Sequence, residues 1–207
     1  MLMLIERGGL IMILILSLSV VAAAIIIERL LFFRRIKSDQ SVVVNGLKEA
    51  VSQGRFAEAD VICKNNDSPL TRLARIAIEN RRRSEESIQA AVSEAANMEI
   101  PKMERYLTSL GTIAHISPLL GLLGTVTGNI QAFGVLGGFE AAGGNPALLA
   151  RGISEALLTT AAGIIVSIPA ITFYNYLVNR VNHLIISMEN QVNAIVREMK
   201  REGRNAV

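Results

Sequence analysis

Three stretches of this chain run without a charged residue for long enough to cross a bilayer, and they restrict its fold more than any other feature. They extend from Gly8 to Ile27, from Tyr106 to Phe139 and from Ala156 to Asn179, which is 20, 34 and 24 residues. A helix needs about 20 apolar residues to traverse a hydrocarbon core of roughly 30 Å. In lipid the backbone must bond to itself, so each stretch is expected to be helical. The second is longer than one crossing requires, so its first turns are expected in a soluble domain and its span near residues 117–136. Composition agrees: 51% of the 207 residues are hydrophobic and 19% charged, against about 25% charged in an average soluble domain.

The first stretch, residues 8–27, could be taken for a secretory leader because Ala22-Ala23-Ala24 resembles a cleavage site. Glu6 beside Arg7 removes the basic leading charge, the apolar run continues through Ile27, and Arg29, Arg34, Arg35 and Lys37 follow at once. That is a stop-transfer pattern, and the segment is read as an uncleaved span. Residues 28–105 hold 14 of the 21 basic residues and residues 180–207 hold 5 more, leaving only Arg7 and Arg151 elsewhere. By the positive-inside rule the N-terminus is expected outside and the C-terminus in the cytoplasm. Residues 28–105 and 180–207 then form cytoplasmic parts, 140–152 a short outer loop, and 153–179 the third span.

The cytoplasmic parts read as helix. Leu70, Leu73, Ala74, Ala77 and Ile78 recur at helical spacing, and the loop Asn65–Pro69 offers an N-cap at Asp67 or Ser68, so at least two helices are expected. Val181, Ile185, Met188, Val192, Ile195 and Met199 are spaced 4, 3, 4, 3 and 4 apart, a heptad seam continuing the third span. One helix of roughly 75 Å is expected from about Gly152 to Arg201. Its seam packs on helices of the same chain or of another subunit; spacing alone leaves both open. The single cysteine, Cys63, is read as idle, and two histidines, His115 and His183, make a histidine metal site improbable. No metal or other cofactor is expected. Arg81-Arg82-Arg83 is read as a solvated helix end balanced by Glu85 and Glu86 rather than a nucleic-acid or lipid site.

Polar groups inside the spans carry the functional signal, because each costs free energy in hydrocarbon unless satisfied. Gly121, Gly124, Thr125, Gly128 and Ala132 form one stripe on the second span. Gly152, Ala156, Thr160, Gly163, Ser167 and Ala170 form another on the third. Small residues at this spacing let membrane helices approach closely, and the short outer loop makes the two spans an antiparallel hairpin. Two readings are open for Thr125 and Thr160. They bond to backbone carbonyls and pack the hairpin, or they face a water-containing lumen and meet a permeant ion. Glu155 is a membrane-edge carboxylate, a functional-site hypothesis by default, with an interfacial structural acid as its other reading. Asn129 should face protein, His115 could relay protons or serve as a satisfied structural histidine, and Pro118 and Pro169 are expected to kink their helices.

The stretch Ser117–Phe133, SPLLGLLGTVTGNIQAF, closely resembles the second-span signature of ExbB and TolQ proteins, and Gly152–Ala170, GISEALLTTAAGIIVSIPA, resembles their third-span signature. The likeness to the MotA/TolQ/ExbB proton-channel family is dense over residues 109–181; four-span MotA stators resemble the chain less. The resemblance implies an all-α membrane protein of three transmembrane helices with long cytoplasmic helical extensions, assembling as a pentameric ring. It implies a dimeric ExbD- or TolR-like single-span partner whose transmembrane aspartate takes up and releases protons, and possibly a TonB-like protein. It carries pore-lining roles onto Thr125 and Thr160 and a functional carboxylate onto Glu155. Thr159, Ser167 and Asn129 are candidate additional pore-lining groups, and Gly121, Gly124, Gly128 and Gly163 packing positions. Thr159 and Thr127 add hydroxyls, which leaves proton against sodium open.

The function expected is a proton-channel and stator subunit of the bacterial inner membrane that energises TonB-dependent uptake. The alternatives are a TolQ-like role in envelope integrity and a membrane scaffold without an ion path. No Gly-x-Ser-x-Gly turn, no HExxH pair and no second histidine near His115 is present, so an intramembrane enzyme is not expected.

Overall fold

The computed structural model describes residues 2–38, 40–137 and 146–205. Every element among them is an α-helix: α1 (Leu2–Ser38), α2 (Gln40–Ser52), α3 (Phe56–Asn65), α4 (Pro69–Glu79), α5 (Glu85–Met103), α6 (Leu107–Gly137) and α7 (Pro146–Asn205). Three segments are long and apolar enough to cross a membrane: Gly9–Ile36, Leu107–Gly134 and Leu149–Arg201. The chain divides into two compact units. The hairpin unit comprises α1 as far as Arg29 together with Tyr106–Leu177, and the tail unit comprises Leu30–Arg105 together with the chain from Val178 onward. Helices α1 and α7 contribute to both.

In the tail unit, local signals fix each helix before packing selects its face. Ser68 caps α4: its hydroxyl accepts from the Thr71 amide while the Thr71 hydroxyl accepts from the Ser68 amide, with Pro69 in the first turn. Such a reciprocal box satisfies two donors that a helix start leaves open. Ser84 caps α5, and Glu85 and Glu86 lie in its first turn, where the helix dipole favours negative charge. Leu70, Leu73, Ala74, Ala77 and Ile78 of α4 are buried, as are Ile88, Val92, Ala96 and Met103 of α5. Residues 41–105, read from sequence as at least two helices, hold four, because the turns at Gly54 and Asn80 break the run as well.

The heptad seam of α7 is buried within the chain: Val181, Met188, Val192 and Ile195 have no exposed surface, and Val196 joins them. Each fully buried aliphatic side chain is worth about 1.5–3 kcal/mol relative to exposure. Lys200 Nζ fastens the end of this helix by donating to the carbonyl of Arg81 at 3.0 Å and to that of Arg83. Arg81 itself lies over the Phe56 ring, 5.3 Å from its centroid. The arginine triplet thus holds the tail against the α4–α5 turn.

One ion-pair cluster in this unit is centred on a buried carboxylate, Glu99. Arg72 grips Glu99 through Nε at 3.1 Å and a terminal nitrogen at 2.7 Å, and Lys102 adds a bond of 2.6 Å. Burial, the largest single influence, pushes the Glu99 carboxyl up, but the bonds and charges of Arg72 and Lys102 together hold it below its usual range. Burial pushes the Cys63 thiol up to about 11, with the Asp60 charge adding to it, so Cys63 is un-ionised at neutral pH and a poor nucleophile.

The hairpin unit is built from different material. Helix α6 runs unbroken through Pro118 and α7 through Pro169. Leu119, Leu122, Leu123, Val126, Ile130 and Phe133 of α6 stay exposed, as a lipid- or partner-facing helix requires. Tyr106, at the start of this unit, holds φ of 65°, a region a bulky residue adopts only under constraint. The Arg29 guanidinium, 3% exposed, sits 5.7 Å above its ring and is bonded through two nitrogens to the Glu28 carboxylate. That clamp pins the entry of α6.

Candidate ion-pathway site in the membrane hairpin

Helices α6 and α7 approach until backbones touch. A Cβ at Gly163 would lie 2.5 Å from the Ser117 carbonyl oxygen, and one at Gly121 would lie 2.9 Å from Cα of Thr160. At Gly128 it would meet Ala156 Cβ at 2.8 Å and the Gly152 carbonyl at 2.9 Å, and at Gly124 it would overlap the Thr159 side chain. All four positions read from sequence as packing glycines therefore lie in the seam. No other residue fits there, because without a hydrophobic drive inside lipid, helix contact depends on close van der Waals packing.

Within this seam the hydroxyls are bound to carbonyls. Thr160 Oγ1 crosses the hairpin and donates to the Gly121 carbonyl at 2.8 Å. In an α-helix that carbonyl also receives the amide of the residue four further on, which is Thr125. Thr125 Oγ1 donates to the Leu122 carbonyl of its own helix at 2.6 Å. The two threonines singled out by sequence are thus joined through Gly121. Each hydroxyl spends its proton on the backbone and keeps oxygen lone pairs as acceptors.

Ser167 and Thr159 behave differently. Thr159, 1% exposed, donates to its own Ala156 carbonyl at 2.9 Å. Ser167, 9% exposed, donates across the hairpin to the Ala114 carbonyl at 2.6 Å. The reason lies one turn on: Pro118 has no N–H, so the Ala114 carbonyl lacks its helical donor. Ser167 replaces that donor, and α6 stays helical through Pro118. The structure places both hydroxyls inside the seam. Asn129 lies on the exposed side of α6.

Glu155 sits apart from these. Five residues separate it from Thr160, which puts the two about 140° apart around α7. Its Oε1 lies where a Cβ at Gly9 would come within 2.6 Å, so the half-buried carboxylate packs on the backbone of α1. Gly9 has φ of 59° and ψ of −162°, a conformation open in practice only to glycine, and it bends α1 at that contact. Sequence reasoning had no signal for this pairing. A separate cavity of about 470 Å³ between α1 and α7, lined by Met12, Ile15, Ala22, Leu158, Ala162 and Pro169 among others, is almost wholly apolar and suits no ion.

Three candidate spans, the second and third forming a glycine-lined, hydroxyl-bearing hairpin, place the chain among multi-pass membrane proteins. Comparison with known proteins agrees: residues 65–190 match the model of the MotA/TolQ/ExbB proton channel family, and the chain belongs to that family. It is 32% identical to the Tol-Pal system protein TolQ of Haemophilus influenzae over 84% of this chain and 80% of that one. It is 30% identical to the biopolymer transport protein ExbB of Neisseria meningitidis over 80% and 79%. A Synechocystis protein described as ExbB-like 3 shares 31% over 81% and 80%. The chain is a proton-channel-type biopolymer transport subunit and a multi-pass inner-membrane protein.

Proposed function

We propose that this chain is the ring-forming channel and stator subunit of an ExbB-type motor, conducting protons along Thr125 and Thr160 with Glu155 as its membrane-edge carboxylate. The observation that supports it most is the Thr160–Gly121 bond beside Thr125. It leaves two oxygen acceptors on a hairpin with no charged residue from Ala156 to Asn179 or from Tyr106 to Phe139. Acceptors in a charge-free wall suit a proton donor that is neutral while it passes, such as a protonated carboxylic acid. That acid is the transmembrane aspartate of an ExbD- or TolR-like single-span partner. Protonation removes its charge and most of its desolvation cost, which frees the partner helix to move. Each proton crossing 100 mV releases about 2.3 kcal/mol.

In this reading five copies enclose two partner helices, the N-terminus faces the periplasm and the C-terminus the cytoplasm. The ring drives a TonB-like protein that opens outer-membrane uptake. A TolQ-like role in envelope integrity is the second reading, favoured by the identity to TolQ of Haemophilus influenzae. The test is to extract the tagged chain from its native membranes and weigh the intact complex by native mass spectrometry. A multimer holding a small single-span protein with an aspartate in its helix is the expected result, and that protein's periplasmic domain separates the uptake role from the envelope role. A lone chain, or a complex without such a partner, returns the seam to pure packing and leaves a scaffold.

A further inference from the structure

We infer that His115 is a second proton-binding group of the ion pathway, placed at the opposite end of the hairpin from Glu155; this rests on the channel reading above. At 100° per residue, His115, Leu122, Asn129 and Thr125 fall within an arc of about 80° on α6. Thr125 and His115 bound this arc, with Thr125 at the edge of the glycine seam and His115 clear of it. The imidazole is exposed on α6, two residues before the expected 117–136 span, at the end of the hairpin away from Glu155. A polar ring at that edge favours water or another protein surface over hydrocarbon.

The ring geometry assigns the roles of its two nitrogens. Nδ1 lies 2.6 Å from the Gly111 carbonyl oxygen one turn back, an atom that can only accept. Nδ1 thus carries the proton, and in the neutral ring Nε2 is left as the acceptor. A proton delivered by hydronium binds Nε2, the ring becomes imidazolium with Nδ1–H still on Gly111, and the same Nε2 returns the proton to a neighbouring water. Nothing but a proton is exchanged.

The surroundings favour such a role. From Tyr106 to Phe139 the chain holds one histidine, His115, and no charged residue, and from Ala156 to Asn179 the ionisable side chains are Tyr174 and Tyr176. Tyr174 packs its ring on Gly111, where a Cβ would come within 2.9 Å of it. From α1, the nearest charges are the Glu28–Arg29 pair at the Tyr106 end of the unit, nine residues or about 14 Å along α6 from His115. Glu155 packs near the far end, beside the Gly128–Ala156 contact, about 20 Å from His115 along the helix. Among the described residues from Leu107 to Leu177 there is one carboxylate, Glu155, and one imidazole, His115, with Thr125 and Thr160 between them along the helices.

His115→Asn separates this role from a structural one, because the asparagine amide can keep the bond to Gly111 while offering nothing at the Nε2 position. The complex purified with its partner is reconstituted in liposomes, and proton influx under an imposed potential is followed from pH 5 to 8. Wild type is expected to conduct, Glu155→Gln to abolish conduction, and His115→Asn to lower it at least tenfold and flatten its pH profile. His115→Asn flux within twofold of wild type, with Glu155→Gln inactive, overturns the inference and leaves the channel intact. No flux in wild type sinks the channel reading instead. Should the variant fail to assemble, nitrogen NMR of His115 in the wild-type complex decides: titration at Nε2 between pH 5 and 8 supports the inference, and none overturns it.

Discussion

The hairpin unit and the tail unit are both helix on helix, yet almost nothing that holds one holds the other. In the tail unit, large aliphatic side chains on α4, α5 and the end of α7 are withdrawn from solvent, with serine caps and the Arg72 grip on buried Glu99 fixing register. In the hairpin, glycine and alanine sit where those side chains would be, and hydroxyls bond to carbonyls of the facing helix. Lipid is as apolar as leucine, so burying leucine there gains little and closeness must supply the contact. Leu119, Leu122 and Leu157, beside the glycine seam, accordingly point outward, and the buried leucines of this unit, Leu107, Leu110 and Leu177, lie at its Tyr106 end. The side chains that stabilise one unit would wedge the other apart.

That contrast can be broken most severely at Gly163. Gly163→Leu would drive a side chain into the Ser117 carbonyl, and no monodisperse protein is expected by size-exclusion chromatography in detergent. Gly134→Leu, where no atom lies within 4 Å of the added carbon, should elute as wild type does. If both variants behave alike, close approach is not what holds the hairpin.

The tail unit should respond to the reverse change. Ile195→Ala, at a position with no exposed surface, is expected to cost about 2–5 kcal/mol in urea unfolding followed by cysteine labelling at buried Cys63. Val61→Ala, at a residue 52% exposed, should cost little. Glu99→Gln is expected to cost about 1–3 kcal/mol at neutral pH in the same assay. Its pH dependence has a definite sign. The Glu99 carboxyl is held below its unfolded value, so its contribution is complete above that value and disappears as pH falls through the folded one. The difference between Glu99→Gln and wild type should therefore shrink in acid.

The smallest effect tests the replacement of a missing backbone donor by Ser167. Ser167→Ala should cost about 0.6 kcal/mol, within the range of measured membrane hydrogen bonds. Pro118→Ala restores an amide to the Ala114 carbonyl, so in that background Ser167→Ala should cost measurably less. An unchanged cost in the double-mutant cycle would show that Ser167 stabilises the hairpin by some other route.

How much of this was legible in the sequence follows the range of each interaction. The heptad seam from Val181 to Met199 and the apolar face of α4 were readable because their periodicity is local. The glycine stripes were readable for the same reason, and Thr125 and Thr160 stood out because hydroxyls are unexpected in a span. The sequence left open whether the heptad seam met its own chain, which the structure answers: it is buried within the tail unit. What stayed hidden depends on register between distant segments. The Ser167 bond to the carbonyl orphaned by Pro118, the Gly9 contact with Glu155 and the Arg72–Glu99 grip each join residues that no spacing rule connects. Tyr106 in its left-handed conformation gave no signal either, since the residue type argues against it.

The most direct test of the account is proton influx into liposomes containing the chain with its native single-span partner, for wild type, Thr160→Ala and Glu155→Gln at equal, verified assembly. The account predicts potential-driven influx in wild type that falls at least tenfold in both variants. Flux unchanged in both, or absent from an intact wild-type complex, would contradict it and leave the hairpin a scaffold.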